Sequence, residues 1–499
     1  RIGQGVEFDY STVHAVRTIR ELGFEAIVVN NNPETVSTDF DVSDRLYFEP
    51  LTPEEVVNVL DLEKPDGVVV QFGGQTAIKL AAAVNKAGYR ILGTTVDAIN
   101  DAEDREKFDE LLERLNIKRP KGKTVFTAEE ALAAAHEIGY PVLVRPSYVL
   151  GGQGMEIAYT DGEIRDYMEI INAAKQEHPI LVDQYVSGKE LEVDAICDGE
   201  SVLIPGIMEH IERTGVHSGD SISRYPSSFL GDTVENIVDV AEKLALGTRT
   251  VGLINIQLIL KGDEIYIIEV NPRSSRTVPF ISKVTGVPMV ALATRCCMGE
   301  RLADMGYGTG LYKKSKFHAV KVPVFSNDKL PELEISLSPE MKSTGEAIGY
   351  DDKLTRALYK ALQATGMHVS NYGTIFVTIA DHDKEQALPL VKRFYDLGFN
   401  IEATTGTAEF LRAHGIRTRT RRKLNEGSNE IIEALRQGHV SYVINTIDIN
   451  QHNTRLDGYE IRRTAVENNV TVFTALETVK VLLDVLEEIT LRVSTIDSK

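Results

Sequence analysis

Twice along this chain, over residues 1–100 and again over 366–499, short apolar runs alternate with amphipathic segments of helical period. That alternation constrains the fold more than any other feature. It requires doubly wound units, each a parallel sheet with helices on both faces. In the first stretch, Tyr10–Leu22 precedes the run Ala26–Val29, a polar loop Asn30–Thr38, a helix over Pro53–Leu60, the run Val68–Val70 and a helix over Thr76–Ala87. Such a unit normally opens with a strand. Here the glycine-bearing Arg1-Ile-Gly-Gln-Gly5 runs straight into a helix, so further residues are expected upstream. In the second stretch, Thr374–Ile379, Phe399–Ala403, a short basic strand and Val440–Asn445 are each followed by a helix.

Between these stretches the pattern changes. Over 101–300, charged helices (Ala102–Leu115, Ala128–Ile138) lead into the strand Val142–Val144 and a glycine cluster, Gly151-Gly-Gln-Gly154. Strand-like runs follow at Met155–Tyr159, Ile180–Tyr185, Leu191–Cys197 and Ser201–Met208, then a helix over Thr233–Leu246. Leu253–Leu260 and Glu264–Val270 are joined by Lys261-Gly-Asp-Glu264, a tight-turn signal that makes the pair antiparallel. Consecutive strands with few helices make this an α+β domain. Residues 301–365 read as a mostly helical, polar connecting segment. The fold class is therefore α/β multidomain, consistent with 499 residues at roughly 100–200 per domain.

Composition removes several functions. The balance of 54 basic against 74 acidic residues gives −20, which argues against a nucleic-acid backbone as partner. A few local cations still suffice for a nucleotide. Nothing approaches the ~20 apolar residues of a membrane helix, and no signal peptide opens the chain, so a soluble cytoplasmic protein is expected. Cys197, Cys296 and Cys297 fit neither a disulfide framework nor a zinc spacing and read as buried thiols.

Chemistry concentrates in the hairpin. Side chains alternate faces along a strand, so Glu269 and Asn271 point the same way. With the turn centred near Gly262-Asp263, Gln257 lies opposite Glu269 to within about one residue. One carboxylate and two amide oxygens thus converge at a sheet end beside Arg273 and Arg276. Mg²⁺ takes such oxygens together with waters and substrate phosphates, and two arginines can neutralise phosphoryl oxygens. A buried Glu paired with a nearby Arg is the plainer alternative. The cluster Gly151, Gly152 and Gly154 could fold bare N–H groups over phosphates, although glycine-rich hairpins are common. Arg145 adds a fixed charge near that loop, and Glu190 could accept from a ribose hydroxyl. His217, in a polar glycine-bearing turn, is more often a hydrogen-bonding residue than a catalyst.

These residues also carry a resemblance. Val144-Arg-Pro-Ser-Tyr-Val-Leu-Gly-Gly152, Met208-Glu-His-Ile211, Gly215-Val-His-Ser-Gly-Asp220 and Ile268-Glu-Val-Asn-Pro-Arg273 together resemble an ATP-grasp domain, and more narrowly the large chain of carbamoyl-phosphate synthetase. Arg1-Ile-Gly-Gln-Gly-Val-Glu-Phe-Asp-Tyr10 and Gln71-Phe-Gly-Gly-Gln75 resemble that family's domain preceding the ATP-grasp fold. Thr404-Thr-Gly-Thr407 and Asn445-Thr446 resemble its methylglyoxal-synthase-like regulatory domain. The family's large chain is internally duplicated, and this chain resembles its second half, as a split subunit or a fragment.

The resemblance implies ATP-dependent phosphorylation of carbamate to carbamoyl phosphate. It assigns Gln257, Glu269 and Asn271 to two Mg²⁺ or Mn²⁺ ions, with Gln257 and Glu269 also facing the nucleotide. ATP contacts would come from Arg145, Asp183, Tyr185, Glu190, Gly215, Val216, His217 and Ser218. Arg273 and Arg276 would stabilise the phosphoryl group in transfer. The implied partners are the N-terminal half of the large chain, a glutaminase small subunit, an allosteric nucleotide and, as an oligomer, further copies of the chain, with no nucleic acid or membrane. Another ATP-grasp ligase, or a regulatory subunit without turnover, are the rival readings.

In the C-terminal domain, Lys384, Thr404, Thr407, Lys423 and Asn445 all fall just after strands, on the edge where such sheets bind ligands. They suit a nucleotide phosphate, UMP or IMP by the resemblance, or are scattered loop polars. Ile447 stands where some family members carry a hydroxyl. No glycine-rich catalytic loop follows Asn445, so this domain is expected to bind and not to catalyse. Glu212, Asp220 and Glu340 match positions that bind ornithine in some members.

Overall fold

Helix starts in this chain are written as capping residues. Thr52, Thr95, Asp104 and Thr127 each accept a hydrogen bond from the backbone N–H three residues on, satisfying a donor that the first turn would otherwise leave open. Pro53 follows Thr52 at the first helical position, and Glu130 returns a bond to the Thr127 N–H to close a capping box. Asp104 also explains a difference from the sequence expectation. The helix expected over Ala102–Leu115 is two helices, Val96–Glu103 and Arg105–Leu115, because the Asp104 side chain caps the second. Thr76–Ala87 likewise divides into Gly74–Ile78 and Ala81–Lys86.

A computed structural model describes residues 5–146, 155–173, 179–227, 230–327, 334–446 and 452–490. The glycine cluster Gly151–Gly154 and Ile447 lie outside the described residues. The chain divides into two compact units, the first comprising residues 1–148, 157–210 and 224–316, the second 149–156, 211–223 and 317–499.

In the first unit, Ile27–Val29 (β1) and Arg45–Tyr47 (β2) pair in parallel, and Val68 bridges Ile91 in the same sense. β2 was not anticipated, since Arg-Leu-Tyr carries little apolar signal. Next come Gly122–Val125 (β3), Val142–Pro146 (β4), Glu156–Ala158 (β5) and Ile180–Gln184 (β6), a sheet ordered β3-β6-β4-β5. The helices Ala128–Ile138 and Asp161–Ala173 pack on it around Ala131, Val144, Ile164 and Val182.

The long strands Lys189–Asp198 (β7) and Val202–His210 (β8) are followed by the short Ser223–Tyr225 (β9), then Val251–Lys261 (β10) and Glu264–Asn271 (β11). They form an antiparallel ladder ordered β11-β10-β7-β8, with Gly310–Leu311 (β12) beside β8. One face is apolar. Leu191, Val193, Ile254, Ile256 and Leu258 pack there against the helices Thr233–Gly247 and Arg105–Leu115. The opposite face carries the polar residues considered below.

In the second unit, His318–Val324 (β13) and Gly345–Asp351 (β14) pair antiparallel and pack on the helix Leu354–Ala364. This corrects the expectation of a mostly helical 301–365. β13 was obscured by Lys321, a charged residue that is 1% exposed and donates through Nζ to the Ser218 carbonyl at 3.1 Å. Thr374–Thr378 (β15), Asn400–Thr404 (β16), Thr418–Arg421 (β17), Val440–Asn445 (β18) and Thr471–Phe473 (β19) form a parallel sheet ordered β17-β16-β15-β18-β19. Only β19 was missing from the expected set. Apolar clusters cover both faces, Ile375, Val377, Phe394 and Tyr442 on one, Phe376, Val443 and Ile461 on the other.

Among the described residues no single helix is long and apolar enough to cross a membrane. All three cysteines are buried and free of disulfides, and burial pushes the Cys197 thiol up to about 11 and that of Cys297 to about 12.

Candidate functional site

The β10–β11 ladder starts from the tight turn with Lys261 opposite Glu264, and regular pairing would set Ile268 against Gln257. Instead the register shifts by one residue. Leu258 faces Ile267, Gln257 faces Glu269, and Ile268 is absorbed in a bulge. Ile268 and Glu269 are in consequence both exposed, while Ile267 and Val270 point inward. Without the bulge Glu269 would turn to the apolar face opposite Ile256. With it, Glu269, Gln257 and Asn271 share one face.

That face continues across β7. Residues directly opposite in antiparallel strands point the same way, so Glu269–Gln257–Glu192 and Asn271–Asn255–Asp194 form two polar rows. Glu192, Asp194 and Asn255 are 1–2% exposed. The Asn255 carboxamide joins the rows, donating to Glu192 Oε1 at 2.8 Å and Asp194 Oδ1 at 2.9 Å.

The loop after β11 is tied down residue by residue. Ser275 Oγ donates to Asp194 Oδ1 at 2.7 Å, and Thr277 Oγ1 to Asp194 Oδ2 at 2.5 Å. The Ser274 N–H reaches the Gln71 carbonyl at 3.0 Å, and its hydroxyl meets that of Ser11 at 2.8 Å. Arg273 donates through Nη2 to Asn271 Oδ1 at 3.2 Å and through Nη1 to the Ser274 carbonyl at 3.0 Å. Burial pushes the Arg273 pKa down, against the charges of Glu269, Glu103 and Asp194. Arg276 lies half-buried between the two anchored hydroxyl residues.

Gln71 fastens the first domain to the same sheet end. Its Nε2 donates to the Val251 carbonyl at 2.6 Å, and its Oε1 accepts from the Leu253 N–H at 3.0 Å. Between them Gly252, at φ +114°, leaves no space for a side chain, because a Cβ there would sit 2.1 Å from Gln71 Oε1.

Of the expected nucleotide contacts in the first unit, Arg145 and Asp183 are brought together, Nε to Oδ2 at 3.1 Å, with Arg105 on the other carboxylate oxygen at 2.7 Å. Arg119 is nearby, its pKa pushed down to about 10 by burial and by Arg105, against Asp183. Tyr185 follows directly on β6. Glu190 is buried rather than open, and faces His210 Nδ1 at 3.6 Å. His210 also meets Glu192 through Nε2 at 3.1 Å. Burial works to lower the His210 pKa, but hydrogen bonds and charge from Glu190 and Glu192 carry it up to about 9. Burial, then the charge of Glu192, raises the Asp194 carboxyl.

Gly215, Val216, His217 and Ser218 belong to the second unit. There the His217 N–H donates to the Ser338 carbonyl at 2.9 Å, and its Nδ1 accepts from the Gly219 N–H at 3.0 Å. The acidic residues nearby are engaged. Glu212 accepts from the Ile222 N–H at 2.7 Å and from Thr478 Oγ1 at 3.0 Å, and Asp220 accepts from the Lys342 and Ser343 N–H groups. The Glu340 N–H reaches Ser338 Oγ at 3.3 Å.

At the C-terminal sheet, Thr404 and Asn445 are the last residues of β16 and β18, and Lys384 and Lys423 come after β15 and β17, on four neighbouring strands. Thr404 and Thr407 are buried with their hydroxyls 3.3 Å apart, at the N-terminus of the helix Thr405–Ala413. Lys384 Nζ pairs with Asp381 at 2.7 Å, and Lys423 adds to the positive field at that carboxylate. Asn445 Oδ1 accepts from Arg462 Nη1 at 2.5 Å. Arg462 is 4% exposed and grips Glu334 through Nε at 2.8 Å.

Glu192, Asp194, Asn255, His210 and Arg462 were not singled out from the sequence. The signal for the acids was present, since Glu190-Leu-Glu-Val-Asp194 alternates carboxylates with apolar residues at strand period. The donor set at the hairpin end is one exposed carboxylate with two amides, hard oxygens suited to an ion that brings its own waters and phosphate oxygens.

Comparison with known proteins agrees with this architecture. The biotin carboxylase domain of Hydrogenobacter thermophilus 2-oxoglutarate carboxylase superposes with a TM-score of 0.57 at 20% identity, over 71% of this chain and 86% of that one. Biotin carboxylase from Campylobacter jejuni gives 0.55 at 18% identity, over 71% and 88%. At such identity the likeness is one of fold alone. Three family models match successive parts of the chain, described as carbamoyl phosphate synthase preATP-grasp domain (residues 1–101), carbamoyl-phosphate synthase L chain ATP binding domain (104–305) and MGS-like domain (386–474). The carbamoyl phosphate synthase large chain of Lachnoclostridium phytofermentans is 55% identical over 490 residues, covering 98% of this chain and 46% of the relative. That of Clostridium botulinum is 54% identical over 487 residues, covering 97% and 46%. The chain belongs to the carbamoyl phosphate synthase large-chain family and spans about half the length of the curated relatives it matches.

Proposed function

We propose that this chain carries the ATP-dependent step that phosphorylates carbamate to carbamoyl phosphate, under control of its C-terminal domain. The observation that supports this most is the bulged register placing Glu269 opposite Gln257, on one face with Asn271 and with Arg273 bonded to Asn271. Phosphoryl transfer asks little covalent chemistry of a protein. It asks for in-line positioning and neutralisation of charge. Gln257, Glu269 and Asn271 would hold two Mg²⁺ or Mn²⁺ ions, which when bound supply charge to the phosphate oxygens. Arg273 and Arg276 would bear on the phosphoryl group in transfer. Because their loop is already fixed by Asp194 and Gln71, little reorganisation accompanies the developing charge.

Arg145, Asp183, Tyr185, Glu190, Gly215, Val216, His217 and Ser218 are the proposed nucleotide contacts. No protein base is needed, since carbamate is already an anion. The remainder of a large chain would supply carbamate and a glutaminase subunit the ammonia. A nucleotide phosphate such as UMP or IMP would occupy the edge formed by Lys384, Thr404, Thr407, Lys423 and Asn445, and Glu212, Asp220 and Glu340 are offered for an amino-acid ammonium. The test is ATP formation from MgADP and carbamoyl phosphate by this chain alone. Turnover is expected, and its absence with folded protein at saturating substrates refutes the proposal.

A further inference from the structure

The guanidinium of Arg273 has five N–H hydrogens. Two go to the Asn271 carboxamide at the end of β11 and to the Ser274 carbonyl in the loop that follows. A third, on Nε, goes to Gln75 Oε1 at 3.1 Å, a residue of the first domain 198 positions away in sequence. One hydrogen on each terminal nitrogen is left without an acceptor among the described residues. The other end of the Gln75 amide is also occupied, because Nε2 donates to Glu103 Oε1 at 2.8 Å. Gln75 is thus a neutral link between an exposed carboxylate and a half-buried cation. It is the second residue of the short helix Gly74–Ile78, which Gly74 opens at φ +65°, where a Cβ would press on the Phe8 ring at 3.0 Å.

A carboxylate in place of that amide would pair with Arg273 and spend its charge. An empty place would release Nε and let the guanidinium turn towards Glu103. We propose that Gln75 is a positioning residue for phosphoryl transfer: by holding the Nε edge of Arg273 and keeping Glu103 one amide away, it reserves the two open N–H groups and the charge of Arg273 for the reacting anion. The inference rests on the functional reading above. It also makes the first domain a working part of the site rather than a neighbour of it.

The experiment measures ATP formation from MgADP and carbamoyl phosphate by the full chain and by Gln75→Ala, Gln75→Glu, Arg273→Ala and the Gln75→Ala/Arg273→Ala double variant, with unfolding midpoints as the control for folding. Gln75→Ala is expected to lower kcat by about tenfold with the KM for MgADP within about twofold, and to add nothing in the Arg273→Ala background. Gln75→Glu, which keeps the size and the acceptor, is expected to be at least as slow. A plain structural tether would be satisfied by Glu and would weaken the double variant further. The inference is overturned by wild-type turnover in Gln75→Ala or Gln75→Glu, or by losses that multiply in the double variant. Absence of turnover in the wild type instead overturns the functional reading and takes the inference with it.

Discussion

The hairpin end of the first unit and the carboxyl edge of the C-terminal sheet both gather polar side chains where strands stop, yet they are built in opposite ways. Around Arg273, hydroxyls, amides and carboxylates interlock, and Ser274, Ser275 and Thr277 are each bonded to a residue from another part of the chain. At the C-terminal edge, Lys384 is held by Asp381, whose side chain is 82% exposed, and by the Gly406 carbonyl at 3.4 Å, and Lys423 adds its field at the same carboxylate. The first arrangement is fixed before any ligand arrives, as the proposed phosphoryl transfer would require. The second already holds a carboxylate that the proposed effector phosphate would displace. Rigid scaffolding and exchangeable pairing are thus separable in one chain by asking what each cation is bonded to.

The largest expected effect falls on the rigid side. Glu269→Gln removes the only carboxylate of the proposed ion ligands and should lower ATP formation from MgADP and carbamoyl phosphate by about a thousandfold or more while leaving the unfolding midpoint in place. Near-normal turnover at saturating Mg²⁺ would break the contrast at its root. Arg276→Ala should cost about a hundredfold in turnover and less in MgADP affinity, the usual consequence of losing one charge-stabilising donor. A change in affinity alone would make Arg276 a ground-state contact.

On the exchangeable side, calorimetric titration of UMP and IMP into the full chain should show Lys423→Ala binding about tenfold more weakly, with basal turnover little changed. Asp381→Asn should shift affinity the other way, because it removes the anion that stands where the phosphate would. If both variants weaken binding, the carboxylate supports the site instead of competing for it.

The smallest effect is on pH dependence. His210 has its pKa raised from an unfolded value near 6.5 to about 9, so its contribution to stability is complete below about pH 6.5 and is lost as pH rises through about 9. The unfolding midpoint should therefore fall over that window, and His210→Gln should flatten that part of the fall. Glu190, Glu192 and Asp194 are the acids in the same network, and the raised Asp194 carboxyl acts in the same direction at lower pH. An unchanged slope in the variant would show that His210 stays neutral between its two carboxylates.

How much of this was legible beforehand depended on how local the cause was. Gln257 opposite Glu269 could be approached by counting from a tight turn, and the remaining uncertainty of one residue is the bulge itself. Its trace in the sequence is Ile267-Ile268, two apolar residues in succession where alternation asks for one. Four of the five parallel strands of the C-terminal domain were visible, three as apolar runs and β17 as a short basic strand in the expected place of the alternation, and β19 was missed. Lys321 hid β13, since a buried lysine reads as surface until the Ser218 carbonyl that receives it is known. Arg462 was hidden likewise, because its partners Glu334 and Asn445 come from distant segments. Gln75 lay inside a recognised motif, but its acceptor role towards Arg273 spans 198 residues.

The bulge at Ile268 also bears on which changes of length this strand can accept. A deletion inside a strand ordinarily turns every later side chain to the opposite face. Here β11 carries one residue more than its pairing uses. A chain lacking Ile268 would still run from Leu258–Ile267 to Gln257–Glu269 with nothing skipped, and Glu269 and Asn271 would keep their face. Loss of Val270 would instead bring Asn271 to the inward position and end the ladder one residue early. Ile268 is thus the place on this strand where a codon could be lost without exchanging inside for outside.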